Sequence, residues 1–526
     1  MDTLSTSCAS ATTTADASNP LADILTAASI EHGDRCAIRT ELGELSYAEL
    51  SERVTELAAG LRAAGVGGGS AVAVYLPRSA PATIAIHAVI ATGAVVAPID
   101  VADPPDRTAA LLDQASITHV LSDRTGIDRV NPAGRVVELP QDGLLLAARG
   151  EDDAHGPSAE PGYLLFTSGS TGLPKGVLLS SSAVAFFAQW AARSLELRAG
   201  ERVAAQAALT FDLSTFDIFS TAIAGVTAVQ LPEWLKAFPQ DAAEWLADNE
   251  ISVIYAVPSL LRGIVSAVRR QEQPLSALRA IAFAGEPYPP AALRELLDTF
   301  PGIHVRNWYG PTETNVCTAA DVRNWRTGEP VPVGSALPGV EILLVDEECN
   351  AAEAGEVVVA GAPLLTGYVI GGEVVDPTVA LAFPDGRVRR AYRTGDHAYR
   401  DADGQLVLTG RVDSQIKRRG YRIDLAGIET IACEEASVLA AAAVATGPDN
   451  RITLFLDTGA GAETTESADA ITATDGAIRA LLPVASQPDS IVICSPLPTN
   501  RRGKIDREHL KTLAAQPGHT EEKESS

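Results

Sequence analysis

Helical and extended patterns alternate along most of the chain, and this alternation restricts the fold more than any other feature. An amphipathic pattern at residues 47–64 precedes an apolar run at 72–76, a helical pattern at 81–91 and a second apolar run at 95–97. Apolar strands that alternate with helices are typical of a mostly parallel sheet with helices on both faces. The sequence therefore predicts an α/β fold with doubly wound parallel sheets.

The pattern changes twice toward the C-terminus. Residues 355–408 are rich in strand formers and interrupted by glycines, which predicts a small β subdomain. After Asp413 a short α/β segment follows, in which we expect a low-complexity loop at 458–474. The predicted organisation is a large domain at 19–411 and a small domain at 412–514, between disordered tails at 1–18 and 515–526.

Charge is distributed unevenly along the 526 residues, whose formal net charge is -26 at pH 7. Such a field repels phosphate backbones, so we expect no nucleic-acid partner. Basic residues are nevertheless concentrated between Arg387 and Arg422, and again at Arg501, Arg502 and Lys504. Composition alone leaves two interpretations open: a local site for an anionic ligand or acidic partner, and a solvated positive face.

The cysteines and the N-terminus predict the compartment. No basic segment followed by an apolar run begins the chain, so no secretory signal is visible. The uncharged stretch at 83–99 is short for a membrane span and is better interpreted as a helix followed by a buried strand. No Cys-x-x-Cys pair occurs, which argues against a disulfide scaffold or zinc site and for a soluble protein of the reducing cytoplasm. The six scattered cysteines are Cys8, Cys36, Cys317, Cys349, Cys433 and Cys494.

The segment at residues 165–176 is the strongest local indication of chemistry. Its sequence is Leu-Phe-Thr-Ser-Gly-Ser-Thr-Gly-Leu-Pro-Lys-Gly, an apolar strand that leads into a loop of glycines, hydroxyl side chains and Lys175. Glycines let backbone N–H groups approach phosphate oxygens, and the hydroxyls and Lys175 add donors and positive charge. Pro174 and Gly176 exclude a Walker A loop. A flexible surface loop would not explain so many hydroxyls, so we interpret the segment as a phosphate-binding loop.

This loop resembles the phosphate loop of the adenylate-forming superfamily, which includes acyl-CoA synthetases, luciferases and nonribosomal peptide synthetase adenylation domains. The match spans roughly residues 20–512 and implies a large N-terminal adenylation domain with a small mobile C-terminal α/β domain. Other segments resemble the family's motifs in their usual order: Leu-Ser-Tyr-Ala-Glu-Leu at 45–50, Gly-Ala-Val-Val-Ala-Pro-Ile-Asp at 93–100, Asn-Trp-Tyr-Gly-Pro-Thr-Glu at 307–313, Tyr-Arg-Thr-Gly-Asp at 392–396, Gly-Arg-Val-Asp-Ser-Gln at 410–415 and Asn-Arg-Arg-Gly-Lys-Ile-Asp-Arg at 500–507.

The resemblance implies ATP and Mg²⁺ as cofactors. Asp396 would accept hydrogen bonds from the ribose, Tyr309 would stack on adenine and Glu313 would bind Mg²⁺. The catalytic residues would be Glu313, Thr171 and Lys504, the last reaching the carboxylate and α-phosphate, where negative charge accumulates. The implied nucleotide-binding residues are Thr167, Ser168, Gly169, Ser170, Thr171, Gly172, Lys175, Gly285, Glu286, Asn307, Tyr309, Gly310, Thr312, Asp396 and Arg411.

Asp212, in the run Phe-Asp-Leu-Ser at 211–214, indicates the substrate class. A carboxylate removed from water needs a cationic partner, and an α-ammonium group is a natural one. In isolation Asp212 has a second, less favoured interpretation as a helix cap, but amino-acid-activating members of the family carry this residue. The implied pocket, closed by Lys504, is lined by Asp212, Leu213, Phe216, Tyr255, Ala282, Ala284, Trp308, Val316 and Cys317.

The composition of this pocket narrows the amino acid. It has no second charge, and three large aromatic side chains fill much of its volume, so we expect a small uncharged substrate side chain. The set resembles that of free-standing proline-activating enzymes, except at Ala282 and Trp308, where we expect leucines. L-Proline is our first expectation, and alanine, pipecolate and a substituted proline stay open.

The resemblance also implies transfer of the acyl group to a carrier-protein thiol in natural-product biosynthesis. Asp413 would be the hinge of the small domain, and Gly420 would line the tunnel for the thiol arm. The run Asp-Leu-Ala-Gly-Ile-Glu at 424–429 departs from the family, which has Gly-Glu before Ile-Glu. No carrier domain follows, so we expect a discrete peptidyl carrier protein in trans.

Two alternatives remain at this point. An acyl- or aryl-CoA ligase would be expected to lack Asp212 and to use coenzyme A as its thiol. A non-catalytic nucleotide-binding protein would be expected to have lost Lys504, Glu313 or Asp396, and the sequence retains all three.

Overall fold

The structure, a computed structural model, describes residues 19–130, 134–140, 143–149, 155–167, 174–271, 274–411, 415–459, 464–499 and 505–515. The predicted tails, apart from Ala515, lie outside these residues. So do Asp413, Lys504 and the phosphate-loop residues Ser168, Gly169, Ser170, Thr171 and Gly172. Residues 19–411 are called the large part below, and residues 415–515 the small part.

A first sheet of the large part has a parallel centre and antiparallel edges. The strands from His304–Tyr309 to Cys36–Thr40 run parallel, so their carboxyl ends meet at one edge of the sheet. In spatial order the strands are Ser335–Ala336, Thr318–Asp321, His304–Tyr309, Ala280–Phe283, Val253–Ala256, Arg202–Ala205, Thr227–Gln230, Cys36–Thr40 and Gly43–Ser46.

A second sheet is organised in the same way. Its parallel centre consists of strands Gly162–Thr167, Val95–Pro98, Ala71–Val74 and His119–Ser122. The whole order is Glu373–Val375, Gly367–Ile370, Lys175–Ser180, Gly162–Thr167, Val95–Pro98, Ala71–Val74, His119–Ser122, Leu145–Ala148 and Val136–Glu138.

Helices connect and cover these sheets, and buried apolar faces hold them together. Ser46 and Glu49 form a reciprocal capping box at the start of Tyr47–Ala63, which accounts for its well-defined N-terminus. The predicted elements at 47–64, 72–76, 81–91 and 95–97 are confirmed with small shifts at their ends. The α-helices of the large part are Pro20–His32, Tyr47–Ala63, Ala80–Ala91, Pro105–Gln114, Arg124–Val130, Ser181–Ser194, Thr221–Ala224, Pro239–Asp248, Pro258–Gln271 and Pro290–Thr299.

The predicted small β subdomain is present as an antiparallel third sheet, with strands Val340–Val345, Ala354–Gly361, Val388–Arg400, Val379–Ala382 and Leu406–Arg411. Its arginines pair with carboxylates: Arg389 with Asp385 and Glu341, Arg390 with Asp376, and Arg393 with Glu356. The anionic-ligand interpretation is therefore wrong for these three side chains, because nearby acids already balance them.

The small part begins with a two-stranded hairpin, Gln415–Arg418 and Tyr421–Asp424, called the cleft hairpin below. A sheet of strands Ala440–Thr446, Arg451–Asp457 and Ser490–Ile493 follows. Helices Leu425–Cys433 and Thr465–Leu481 pack with these strands around buried aliphatic residues that include Ile428, Leu454 and Ile478. Helix Arg507–Ala514 packs in a separate cluster with Phe455.

The expectation of a loop at 458–474 is wrong beyond Thr464. The Thr464 side chain caps a helix that runs over Thr465–Leu481. Its buried positions are Ser467, Ala470, Thr474 and Ile478, which recur at the helical spacing of three to four residues. The buried face is made mostly of small and hydroxyl residues, so hydropathy concealed it.

The uncharged stretch at 83–99 forms part of helix Ala80–Ala91 and strand Val95–Pro98, as the sequence predicts. Across the described residues, the search for helices with the length and apolarity needed to cross a bilayer finds none.

Candidate active site

A cleft opens where the carboxyl ends of the parallel strands face the cleft hairpin. Asp212, Tyr255, Ala284 and Gly310 line it from the large part, and Lys417 and other hairpin residues close it from the small part. The enclosed cavity measures about 130 Å³. Ligands of open α/β sheets bind beyond the carboxyl ends of the strands, so this is the position in which a substrate site is expected.

Asp396, Tyr309 and Arg411 form one buried hydrogen-bonded group. The Tyr309 hydroxyl donates to Asp396 Oδ2 at 2.7 Å, and Arg411 Nη1 donates to Oδ1 at 2.5 Å. Burial, together with the charge of Asp396, holds the pKa of Tyr309 well above its usual range, so the phenol is a donor at neutral pH. A carboxylate has about four acceptor positions, and the lone pairs that remain suit hydroxyl donors such as those of ribose.

Glu313, 1 % exposed, is held by residues from both parts of the molecule. The Tyr368 hydroxyl donates to Oε1, and Arg422 of the cleft hairpin donates to Oε2, each at 2.7 Å. Burial acts to raise the pKa of Glu313, but Arg422 and Tyr368 outweigh it and hold the pKa below its ordinary value. Glu313 is therefore a charged carboxylate beside the cleft.

Lys175 is brought to the same place from the second sheet. Its Nζ lies 4.6 Å from the centre of the Tyr368 ring, whose hydroxyl contacts Glu313. Strand pairing sets Lys175 opposite Thr167, so the phosphate loop is the connection of an antiparallel hairpin. The ends of this loop are thus fixed beside Glu313.

The predicted pocket residues form one contiguous cluster, but they lie at different depths. Asp212, Leu213, Tyr255, Ala284 and Val316 line the cleft itself. Behind them, in the core, lie Phe216, Ala282, Trp308 and Cys317.

Aromatic rings close the deep end of this pocket. The Tyr255 ring centre lies 4.8 Å from that of Trp308 and 5.2 Å from that of Phe216. Trp190, which the sequence did not single out, supports Trp308 from behind at 4.9 Å. Bulky rings in contact leave little volume for a side chain, which agrees with the predicted small substrate.

Asp212 is the charged group at the mouth of the pocket. Removal from water raises its pKa to about 6, although the Leu213 N–H, Lys417 and Thr312 act in the opposite direction. A carboxylate with so raised a pKa gains much from a cationic partner. Asp212 is thus a desolvated carboxylate in the cleft, for which a cation would be a favourable partner.

A short π-helix, Phe216–Ser220, holds the back of the pocket wall. Single π-helical turns are frequent at functional sites. Asp217 on this turn accepts a hydrogen bond from the Ala207 N–H at 3.1 Å, and burial raises its pKa to about 7. Asp217 therefore ties the π-helix to the end of a central strand.

The turn of the cleft hairpin is locked against the large part. The Gly420 N–H donates to Glu286 Oε1 at 2.5 Å, while Glu286 Oε2 accepts from the Ser259 N–H at 3.0 Å. Gly420 has φ +84°, and a Cβ there would stand 2.9 Å from a Val257 methyl. Only glycine suits this position, because both the backbone angle and the close approach exclude a side chain.

Lys417 is a cleft residue that the sequence interpretation placed only within a basic stretch. Its Nζ lies 5.4 Å from the centre of the Tyr309 ring, on the tyrosine predicted to stack on adenine. Removal from water lowers the pKa of Lys417, and the charges of Asp396 and Asp212 act against that shift. The adjacent basic residues Lys417 and Arg418 show no polar and apolar alternation, so the sequence did not indicate which of them faces the cleft.

Two predicted nucleotide residues have structural roles. The Asn307 side chain donates to the Pro332 carbonyl at 2.7 Å and does not line the cleft. Gly310 does line it, and a Cβ there would stand 1.6 Å from the Asn315 carbonyl oxygen. Gly310 therefore lets the chain turn tightly beneath the cleft.

The chain belongs to the AMP-binding enzyme family, whose sequence profile matches residues 25–369. Two L-proline--[L-prolyl-carrier protein] ligases are among its relatives. That of Pseudomonas fluorescens is 30% identical over 90% of this chain and 94% of its own, and that of Streptomyces coelicolor is 31% identical over 89% and 91%.

A solved nonribosomal peptide synthetase protein with adenylation and carrier domains has a similar fold. It superposes with a TM-score of 0.78 at 25% identity, over 93% of this chain and 83% of that one. The α/β fold, with a large N-terminal and a smaller C-terminal domain, is thereby confirmed.

Proposed function

We propose that the protein activates a small uncharged amino acid, with L-proline as the first candidate. It forms the aminoacyl-AMP from ATP and transfers the acyl group to the phosphopantetheine thiol of a carrier protein. The observation that carries this proposal is Asp212, a carboxylate of raised pKa at the mouth of a pocket closed by aromatic rings. A coenzyme A ligase for fatty or aryl acids has no cation to place against it.

The nucleotide is proposed to lie between the ribose-binding group and the phosphate loop. Asp396 would accept the ribose hydroxyls, while Thr167 and Lys175 fix the ends of the loop that would hold the phosphates. Adenine would take the place of the Lys417 ammonium group against Tyr309, so this side chain has to move aside when the nucleotide binds. The backbone of Gly285 and Glu286 would border the base.

The residues present fit Mg²⁺ that is shared with the phosphates. Among the described side chains, no cluster of three or more His, Cys, Asp or Glu could hold a metal alone. Mg²⁺ commonly takes one or two carboxylates and completes its shell with phosphate oxygens and water. Glu313 would supply that carboxylate, and the bound ion would neutralise charge on the triphosphate.

Glu313 has a different partner in this structure, the Arg422 guanidinium. One carboxylate cannot hold both cations closely, so we infer that metal binding and the observed hairpin position exclude one another. Adenylation would then occur with the hairpin withdrawn, and thiol transfer with the hairpin as observed.

The rest of the small part supports this two-position proposal. The described small-part residues that line the cleft fall within 417–428 and 482–486. Ile505, which follows Lys504, packs with Phe455 and Leu510 on another side of the small part. We infer that the small part turns about Asp413 between two positions. In one position the Lys504 segment faces the cleft and adenylation takes place; in the other the cleft hairpin faces it and thiol transfer takes place.

L-Proline is favoured by the small pocket and by the two relatives that bear its name. Ala282 and Trp308 differ from the leucines expected for a proline pocket; one change removes volume and the other adds it. Alanine, pipecolate and a substituted proline therefore remain proposed alternatives. The acceptor is proposed to be a discrete peptidyl carrier protein that meets the enzyme in trans.

A hydroxylamine-trapped ATP-consumption screen tests the proposal. The panel holds the twenty amino acids, pipecolate, substituted prolines and several aryl acids. We expect a small uncharged amino acid, proline first, to give the strongest turnover. Selective turnover with an aryl acid would overturn the amino-acid assignment.

A further inference from the structure

An arginine of the large part reaches across to the small part at a point outside the cleft hairpin. Arg107 lies on helix Pro105–Gln114, and its side chain is only 11% exposed. Its Nη1 donates to the carbonyl of Leu481 at 3.2 Å, although 374 positions separate the two residues in the chain. A second element of the small part is therefore fixed against the large part.

The Leu481 carbonyl is a favourable acceptor for a cation. Leu481 is the last residue of helix Thr465–Leu481, and the carbonyls of a final helical turn lack partners within their helix. They also form the negative end of the helix dipole, which a positive charge stabilises. Arg107 thus supplies a charged donor that the helix itself does not have.

The same arginine is poorly placed for its own helix. It lies in the first turn of Pro105–Gln114, where the helix dipole is positive and disfavours a cation. Removal from water lowers the pKa of Arg107, and the charge of Asp103, whose Oδ1 lies 3.2 Å from Nε, acts against that shift. A buried ion pair is a weak source of stability by itself. The contact with Leu481 explains better why an arginine is buried here.

Arg107 and the cleft hairpin belong to one interface. Arg107 and Tyr421 both line the cleft, and the charge of Arg107 acts on the Tyr421 hydroxyl. The Tyr421 ring in turn packs on Phe211, with the ring centres 4.5 Å apart. Two elements of the small part, the hairpin and the end of a helix, are therefore held at the same cleft.

These two elements move together when the small part turns. Ile423 of the hairpin and Ile478 of helix Thr465–Leu481 are buried in the same apolar cluster. A turn about Asp413 that withdraws the hairpin would therefore also carry the Leu481 carbonyl away from Arg107. Arg107 would keep Asp103 and gain water, so its bond to Leu481 belongs to one position only.

We propose that Arg107 is a positioning residue for thiol transfer, because its bond to Leu481 stabilises the position in which the hairpin faces the cleft. The proposal rests on the proposed function, which assigns thiol transfer to that position. A hydrogen bond from a charged donor favours one state over another by about a factor of ten or more. Without it, the small part spends less time in the position that accepts the thiol.

Amide hydrogen exchange of the free enzyme, followed by mass spectrometry, tests the position of the small part directly. The peptide to follow covers Gly420, whose N–H donates to Glu286 when the hairpin faces the cleft. Arg107→Met removes the donor, and Asp103→Asn/Arg107→Met also removes the carboxylate that the first variant leaves unpaired. Asp103→Asn alone is the matched control, since Arg107 can still donate to Leu481.

In both Arg107 variants, amide exchange of this peptide should be about tenfold faster than in the parent. The KM for pantetheine in single-turnover transfer should rise about tenfold, because apparent affinity falls with the population of the binding-competent state. The transfer rate at saturating pantetheine and the rate of ATP–diphosphate exchange should stay within about twofold, which a general loss of structure would not allow. Asp103→Asn should match the parent in every measurement.

Parental amide exchange in both Arg107 variants would overturn the proposal. A raised pantetheine KM with parental amide exchange would instead assign Arg107 a direct contact with the thiol substrate. If no amino acid supports ATP–diphosphate exchange in the parent, the proposed function fails, and amide exchange still decides whether Arg107 holds the small part.

Discussion

Asp212 faces a cation from the small part in this structure and is proposed to face the substrate ammonium in the complex. The charge of Lys417 acts on it across the cleft, yet burial still leaves its pKa at about 6. A group of this kind is charged at neutral pH and easily neutralised in mild acid. The affinity for an amine should therefore follow its ionisation.

The pH dependence of the first half-reaction tests this. Below about pH 6 the Asp212 carboxyl of the free enzyme takes up a proton and loses its attraction for the ammonium. The kcat/KM for the amino acid should fall about tenfold per pH unit below that value, since kcat/KM reports ionisations of the free enzyme. It is measured by ATP–diphosphate exchange at saturating ATP and Mg²⁺.

Two variants control that profile. The kcat/KM of Asp212→Asn should be low and should stay constant across the same pH range. Asp217→Asn removes the other buried carboxyl of this region, whose pKa is about 7, and should keep the parental decline. A parental decline in Asp212→Asn would assign the ionisation to another group.

Individual elements show what the sequence could and could not predict. The loop at 165–176 and the helix at 47–64 were recognisable because glycine, hydroxyl and apolar residues recur at short fixed spacings. The helix Thr465–Leu481 was missed because its buried face is built mostly from small and hydroxyl residues. The pairing of Arg422 with Glu313 also could not be predicted from the sequence, because 109 residues separate them and only the folded chain brings them together.

The cleft hairpin gives an element-scale prediction. Arg422→Gln removes the ion pair with Glu313, so thiol transfer should fall at least ~10-fold, because a buried carboxylate loses its partner. Adenylate formation should change by less than about threefold, since the hairpin is withdrawn during that step. Exchange and single-turnover transfer to pantetheine measure the two steps separately.

Arg390→Gln is the control for Arg422, because it breaks a solvent-exposed pair with Asp376. It should leave both steps near parental rates. Equal losses of both half-reactions in Arg422→Gln would contradict a role confined to the observed hairpin position.

At the scale of the whole molecule, the small part is proposed to occupy two positions at the same cleft, one for each half-reaction. The interface seen here includes hairpin contacts, namely Gly420 with Glu286, Arg422 with Glu313 and Tyr421 against Phe211. Outside the hairpin, Arg262 pairs with Asp449 and Arg107 donates to the Leu481 carbonyl. Most of these contacts are polar, which suits an interface that forms and breaks during turnover.

Changes at Lys504 and Asp413 should therefore divide the two half-reactions in opposite ways. Lys504→Ala should cut adenylate formation ~100- to 1000-fold while ATP still binds, because one electrostatic stabiliser of the transition state is lost. Asp413→Pro should fix φ at the hinge and impair thiol transfer more than adenylation. The same split in both variants would contradict the two-position account.

The most direct test of amino-acid activation compares L-proline with its amine-free analogue, tetrahydrofuran-2-carboxylate, in the parent and in Asp212→Ala. If Asp212 pairs with the ammonium, the parent should prefer proline by ~2–4 kcal/mol in kcat/KM, and the variant should lose most of that preference. ATP–diphosphate exchange measures both substrates at one ATP concentration. A parent that activates the amine-free acid as well as it activates proline would contradict the assignment and favour an acyl ligase.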